Sequence, residues 1–463
     1  MADDLGRRGA RHAVVIGGSL AGLLAARVLA DHAEKVTVVE RDRLPEGPEQ
    51  RPGVPQGRHL HVLIAGGQTA LDELLPGFMD ELRELGAPKV GMPTDMVQWQ
   101  SGQWFARLPA SAHFYSGPRP QVEWLVRQRV LADPRVELVE GTETVGLVGD
   151  ASRVRGVRLR ERGGNAGRET RVLDADLVVD ASGRSTKAPD WLAAIGAEAP
   201  HEETLDTGLA YASRVYRATD AVPATDALGY YIVPGPRQPY GGVIVPLGDG
   251  RHIVTLSGLR GDEPPTDEGG FEEYAKRLPH PVLSEWLAGA EPDGPVHGFR
   301  NTANIRRRYD GPGRRPAGFL AIGDALCAFN PIYGQGMAVA ALSAVALRRA
   351  LAGTRRVPTT RRVQRQLLDA SRQAWDISAG ADKKMPGARG DAARSKPLDR
   401  LTDRYMARIQ AHAAGGAAVG VPFRAALTLT APLSGLFAPS VVRAALFTPV
   451  PETPAQPPLH LDG

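Results

Sequence analysis

Apolar and polar positions change rhythm several times along this chain, and each change predicts an element. The stretch VVIGGSLAG, from Val14 to Gly22, holds a β-branched run that passes without a loop into LLAARVLADHA. The first part predicts a strand of a parallel sheet and the second a helix. KVTVVERD predicts a second strand, which ends at Glu40. The three segments make one βαβ unit with glycines at its first turn.

The proline- and glycine-rich run RDRLPEGPEQRPGVPQGRHLHVLIAGG predicts a long irregular loop that enters a helix or strand. QVEWLVRQRVLADP has helical periodicity, and Arg119 stands just before it. VELVEGTETVGLVGD, VRGVRLRER and TRVLDADLVVDASG predict strands. From Leu209 the texture turns to hairpins in LAYASRVYR, GYYIVPG, GGVIVPLGDG and RHIVTLSG, separated by Gly/Pro/Asp turns. GFEEYAKRL and VLSEWLAG predict short helices, and FRNTANIRRRY predicts a further strand of the same sheet. GFLAIGDALCAFNPIYGQGMAVAALSAVALRRAL returns to an α/β pattern. Beyond Arg361 the chain is mostly helical in character.

The glycines carry chemistry as well as geometry. In the pattern G-x-G-x-x-G, Gly17 permits the tight turn and Gly22 the close approach of helix to strand; Ser19 replaces the middle glycine. A helix starting there presents free N–H groups and about half a positive charge, which suit a pyrophosphate. Glu40 stands where an acid accepts the hydroxyls of an adenosine ribose, and an acid disfavours a 2′-phosphate. The logic repeats far along the chain, where a strand runs into Gly323 and Asp324 and Gly334, Gln335 and Gly336 open a small-residue helix. His59 and His61 could ligate a metal, yet no carboxylate or third histidine is spaced to join them. Arg58 fits better as a loop residue facing an anion or a cofactor ring.

Composition narrows the function. The 463 residues suffice for two or more cores. Lys+Arg 56 against Asp+Glu 52 leaves a net +4 with no basic stripe interleaved with aromatics, so a nucleic-acid partner is not expected. A single cysteine, Cys327, excludes an intramolecular disulfide and multi-cysteine metal sites and suits a reducing compartment. The leader MADDLGRRGARH lacks an apolar signal core, and no apolar run of about 20 residues suggests a membrane span. A soluble, cytoplasmic protein is expected. VPFRAALTLTAPLSGLF and VVRAALF are expected to be core helices rather than a membrane-docking face.

Four segments, VVIGGSLAG with VTVVERD, GVPQGRHLHVL, DADLVVDASGR and AIGDALCAFNPIYGQGM, give the chain a resemblance to the group A flavoprotein monooxygenases. Within them it resembles the bacterial polyether epoxidases of the monensin and lasalocid pathways, relatives of squalene epoxidase that serve secondary metabolism. The matching segments span most of residues 12 to 345. The resemblance implies an α/β fold: a Rossmann-like FAD-binding domain of the glutathione-reductase type with a parallel sheet, an inserted antiparallel β-sheet substrate domain, and a helical C-terminal region. The corresponding boundaries are 1–200 and 311–360 for the two parts of the FAD-binding domain, 201–310 for the substrate domain and 361–463 for the helical region.

The resemblance further implies that Gly17, Gly18, Ser19, Leu20, Ala21 and Gly22 surround the FAD pyrophosphate, that Glu40 binds the ribose and that Arg41 lies near the adenosine. Arg58 would face the cofactor, Arg119 the pyrophosphate and Asp324 the ribityl chain. Gly334, Gln335, Gly336 and Met337 would form the helix start under the flavin pyrimidine edge. Chemistry on a flavin C4a-hydroperoxide needs no catalytic side chain for an alkene. Tyr211, Tyr231, Val243, Phe329 and Tyr333 are expected around a small apolar substrate, whether polyketide, terpenoid or aromatic. NADH, NADPH or a separate flavin reductase would supply electrons, since no second nucleotide motif is visible. The implied reaction is alkene epoxidation, with aromatic hydroxylation or prenyl-chain reduction as alternatives. A flavin halogenase would carry W-x-W-x-I-P, which VQWQSGQWFARLP does not fit. A vestigial FAD fold without activity, like the Rab GDP-dissociation inhibitors, is disfavoured by the intact Gly-Asp segment.

Overall fold

The computed structural model describes residues 10–117, 119–163, 169–313, 315–352, 359–394 and 399–461. Strand β1 (Ala10–Ile16) runs into helix α1 (Leu20–Leu29) and then strand β2 (Ala33–Val39). Val14, Val15, Leu23, Leu24, Val36 and Val38 are all fully buried, as the near-continuous apolar runs of a parallel unit require. β1 is the centre of a five-stranded parallel sheet in the order Phe319–Ala321, Leu177–Asp180, β1, β2, Val136–Val139. Two strands separated by about 140 residues of chain therefore lie side by side and bring the Gly-Asp turn to the same sheet edge as the glycine turn.

The second large layer is an eight-stranded sheet. Its hairpins are Ala210–Ala218, Gly229–Ile232, Gly241–Gly248 and Arg251–Gly258, in agreement with the alternating pattern in the sequence. The sheet also takes in Met96–Gln100, joined to Gly229–Ile232 in parallel, and Gln103–Trp104, antiparallel to Met96–Gln100, so it draws on chain well before residue 201. The segment FRNTANIRRRY departs from expectation. Its strand Asn304–Arg308 pairs instead with His201–Leu205 and Cys327–Ala328 in a separate three-stranded sheet. The reason is electrostatic and local: Arg306, Arg307 and Arg308 meet Glu203, Glu202 and Glu203 across this ladder. Only His297–Phe299, just before it, joins the large sheet.

Helices Gly336–Leu351, Thr360–Asp382, Asp399–Gly415, Ala417–Leu427 and Pro439–Phe447 complete the chain. The last three form their own apolar cluster around Ile409, Val419, Phe423 and Val441. The tail returns to the large sheet, where the Leu459 carbonyl accepts from Arg107 Nη1 at 3.0 Å and from Thr225 Oγ1 at 2.6 Å. Among the described residues no helix is long and apolar enough to cross a membrane.

Candidate functional site

The glycine turn is as tight as its sequence implies. Gly17 has φ +104°, and a Cβ there would stand 2.6 Å from the Ala181 carbonyl oxygen. A Cβ on Gly22 would fall on the Gly17 carbonyl oxygen. Both positions are closed to any other residue by backbone, not by movable side chains. Ser19 occupies the N-cap position of α1 without capping it, and no acid lies in the first turn. The helix start at Leu20, Ala21 and Gly22 thus keeps its free N–H groups and its positive end.

Ser19 is turned to other work. Its hydroxyl donates to Glu123 Oε2 at 2.5 Å and accepts from Arg119 Nη2 at 2.9 Å. Arg119 and Glu123 both come from helix Arg119–Leu131, one turn apart. The Arg119 Nε is buried with no hydrogen-bond partner among the described residues, and burial pushes the guanidinium pKa down while Glu123 and Asp324 oppose that shift. A half-buried cation with an unmet donor beside an uncapped helix start is a site for an anion.

Glu40 is 4% exposed and turned inward. Its Oε2 accepts from the Gly18 N–H at 2.8 Å, its Oε1 from the Asp42 N–H at 2.9 Å, and Arg51 lies 3.3 Å away. Arg51 also holds Asp42 at 3.0 Å and Glu123 at 2.9 Å. This buried cluster locks the proline-rich loop onto the glycine turn. Arg51, Asp42 and Glu123 carry no local sequence signal, because the loop around Arg51 has no periodicity and the acids lie in unrelated elements. Arg41 is exposed, with one long bond to the Gly53 carbonyl at 3.4 Å. Arg58 is exposed at the end of the short turn Pro55–Arg58, near His59 and His297.

The second cradle closes on the first. A Cβ on Gly323, at φ +60°, would stand 2.6 Å from the Ala21 Cβ, so the Gly-Asp turn abuts the start of α1. The Asp324 carboxylate is half-buried and accepts no hydrogen bond among the described residues, with Arg119 and Arg184 both close enough to interact electrostatically. Arg307 pins the turn by donating to the Asp324 and Ala325 carbonyls at 3.3 and 3.2 Å. Gly334, at φ +64°, ends the turn Pro331–Tyr333, and the helix then begins at Gly336 with no side-chain cap and no acid in its first turn. Among the described residues, nothing stands within 4 Å of a Cβ built on Gly336, and the buried Gln335 Oε1 has no partner. Met337 is buried in the main core.

These residues fit a flavin dinucleotide. The uncapped start of α1 abuts the Gly-Asp turn, a partnerless carboxylate and an unmet guanidinium donor lie beside it, and open space lies at Gly336, where a second uncapped helix begins. His61 is half-buried near Arg119, and burial lowers its pKa to about 3. His59 is buried, and desolvation, with His297 and Arg58 nearby, lowers its pKa to about 4. Both imidazoles are therefore neutral. No group of three or more metal-binding side chains occurs among the described residues.

The side chains expected around a substrate divide into three places. Tyr231 and Val243 face each other across a strand pair and pack with Val62 and Leu60; burial pushes the Tyr231 pKa to about 12. Tyr211 joins a separate cluster with Phe299, Ile332 and Met385. Phe329 is 5% exposed and packs into the main core, so its side chain leaves the loop's open face to Ile332 and Tyr333. Tyr333 donates to Asp382 Oδ1 at 2.6 Å, and Asp382 Oδ2 accepts from Asn304 and Asn330 at 2.6 and 2.9 Å. Burial raises the Asp382 pKa, and these donors oppose the shift. This buried acid ties helix Thr360–Asp382 to the loop that precedes the second helix start, a link no motif announced.

Comparison with known proteins extends this picture. A family described as "FAD binding domain" matches residues 11–371. The chain is 38% identical over 353 residues to protein Rv3254 of Mycobacterium tuberculosis (strain ATCC 25618 / H37Rv), covering 73% of each. In fold it is similar to the flavin-dependent brominase Bmp2, with TM-score 0.64 and 14% identity over 90% of this chain and 93% of that one. It is also similar to the flavin-dependent halogenase CmlS, with TM-score 0.61, 20% identity, and 86% and 70% covered. PqsL, a probable FAD-dependent monooxygenase from Pseudomonas aeruginosa, gives TM-score 0.57, 18% identity, and 80% and 94% covered.

Proposed function

The chain belongs to the FAD binding domain family, and from that premise we propose that it is an FAD-dependent monooxygenase that inserts one oxygen atom from O₂ into an apolar natural-product substrate. The observation that carries this reading is the uncapped start of α1, abutted by the Gly-Asp turn, with the unmet Arg119 donor and the unpartnered Asp324 carboxylate beside it. Bound reduced flavin supplies the activation of O₂. The protein holds the dinucleotide, orients the substrate and excludes water.

In this reading the free N–H groups of α1 and the Arg119 guanidinium hold the pyrophosphate. Glu40 uses its remaining acceptor capacity for the ribose, since a carboxylate has about four acceptor sites. Asp324 accepts from the ribityl chain. The start of helix Gly336–Leu351 faces the pyrimidine edge, where its positive end favours the negative charge of a reduced ring. Tyr231, Val243 and Ile332 offer apolar surface to the substrate.

Epoxidation of an alkene is the specific reaction we favour, by the resemblance of the motif segments to polyether epoxidases and because an alkene needs no protein base. Hydroxylation of an aromatic ring is the second reading, favoured by the neutral His59 beside Tyr211. The test is labelled O₂ with FAD-loaded protein, a reductant, and panels of alkenes and phenols. One labelled oxygen in the product supports monooxygenation, and the panel that turns over chooses between the readings. Label from water, or saturation of a double bond without oxygen uptake, refutes it. The same assay with NADH, with NADPH, and with an added flavin reductase identifies the electron donor.

A further inference from the structure

The apolar cluster around Tyr211 contains two polar atoms that the fold leaves unmet. Tyr211 and Ser213 lie two residues apart on strand Ala210–Ala218 and so share a face. Tyr211 stacks on Phe299 at 5.3 Å between ring centroids, and the two are directly opposite in register. The His59 ring meets Tyr211 edge-on at 4.8 Å. Its Nδ1 is 2.9 Å from Ser213 Oγ, and that hydroxyl is 2.7 Å from Thr255 Oγ1. The hydroxyl pair fixes the ring and leaves Nε2 pointing elsewhere.

His59 is 6% exposed and Tyr211 7%. Neither His59 Nε2 nor the Tyr211 hydroxyl has a hydrogen-bond partner among the described residues, and neither is among the buried polar atoms sealed from solvent. Each therefore reaches accessible space, beside the apolar faces of Phe299 and Ile332, with the Arg184 charge near Tyr211 and Arg58 and His297 near His59. Each atom is thus open to a partner from outside the protein, while the side chain that carries it is held in place by the fold. Ile332 packs against the same cluster from the loop that leads to the second helix start, and Met385 closes another side.

We propose that His59 and Tyr211 form a substrate-recognition pair that binds a neutral oxygen, a hydroxyl or a ketone, on an otherwise apolar ligand. The assignment rests on the monooxygenase reading for where the substrate lies. Burial, with His297 and Arg58 adding to it, keeps the imidazole uncharged at neutral pH. Ser213 can donate to Nδ1 or accept from it, so Nε2 can present either a donor to a ketone or an acceptor to a hydroxyl. A bare hydrocarbon would leave both polar atoms unpaired, and a site built for a hydrogen bond rejects such an analogue.

The test uses FAD-loaded protein without O₂ and isothermal titration calorimetry with three probes: 2-naphthol, 2-acetylnaphthalene and naphthalene. At least one oxygenated probe is expected to bind about three- to tenfold tighter than naphthalene, the range of a neutral hydrogen bond. His59→Phe should shrink that preference to within about twofold. Tyr211→Phe, which keeps the ring stack, should shrink it in part even if the histidine variant fails to fold. Equal affinity for all three probes, no binding of any, or a preference that survives in a folded variant of either kind overturns the assignment. Because binding is read without turnover, a preference without oxygen transfer would keep the pair and remove the monooxygenase reading. Labelled product without a preference would do the reverse.

Discussion

Replacing Arg119 by methionine should separate cofactor binding from folding, because the structure predicts opposite consequences for the two. In the protein without cofactor, Arg119 bonds to Ser19 at 2.9 Å and lies 3.5 Å from Glu123, while burial makes its charge costly. Removing it strands no acid, since Asp324 still has Arg184 within electrostatic reach. Glu123 keeps Arg51 at 2.9 Å and the Ser19 hydroxyl at 2.5 Å, and a cation that repels Arg51 is lost. Methionine retains most of the apolar stem. The flavin-free variant should therefore melt within ~1 kcal/mol of the wild type, whereas losing one partner of an uncompensated buried charge costs ~3–5 kcal/mol. FAD binding should suffer, since a hydrogen bond to a charged group contributes ~1.5–3 kcal/mol. At ~1.4 kcal/mol per decade, that predicts an FAD Kd raised roughly 10- to 150-fold. Arg119→Lys keeps the charge but not the planar fork and should fall between. The assay is quenching of FAD fluorescence on titration into flavin-free protein, paired with thermal melts followed by circular dichroism. A folded Arg119→Met variant whose FAD Kd stays within about twofold of wild type would refute this placement of the pyrophosphate.

Three further outcomes follow from the same geometry. Asp324→Ala should raise the FAD Kd roughly ten- to a hundredfold by removing a half-buried acceptor that the protein itself does not use; unchanged affinity would mean the ribityl chain lies elsewhere. Gly22→Ala should cost roughly 3 kcal/mol or more, or prevent folding, because the new methyl falls on the Gly17 carbonyl oxygen; a melt like wild type would contradict the tight turn. His59 and His61 have folded pKa values of about 4 and about 3, below the ordinary 6.5. The unfolded chain then binds protons that the folded chain refuses, so their contribution is complete above pH 6.5 and is lost as pH falls toward 4. Two such sites make stability fall by up to roughly 3 kcal/mol per pH unit between pH 6 and 4.5, and melts of flavin-free protein that do not fall over that range would contradict it.

What the sequence revealed follows from the range of its signals. The βαβ unit was legible because its cues are local: a β-branched run, Gly17 and Gly22 at fixed spacing, and an acid at Glu40. The hairpins from Leu209 onward were legible by alternation and turn residues. Pairing partners were not, since a strand does not encode its neighbour. Asn304–Arg308 looked like a strand of the large sheet until its arginines met Glu202 and Glu203, and Met96–Gln100 gave no sign of joining Gly229–Ile232. Glu40 was found by spacing, but its bonds to Gly18 and Asp42 and its salt bridge to Arg51 belong to packing. Asp382 stayed hidden because nothing near the end of the long helix Thr360–Asp382 marks an acid that binds Tyr333, Asn304 and Asn330. His59 was weighed as a metal ligand; Ser213, the residue that explains it, lies 154 positions away.

The account stands on a noncovalent dinucleotide held between the two helix starts, and stoichiometry measures that directly. Flavin-free protein titrated with FAD should bind one equivalent, with flavin later released intact by acid or heat. Isolated riboflavin, which lacks the pyrophosphate and adenosine, should bind far more weakly. Protein that stays colourless in excess FAD, or that holds riboflavin as tightly as the dinucleotide, would contradict the central claim.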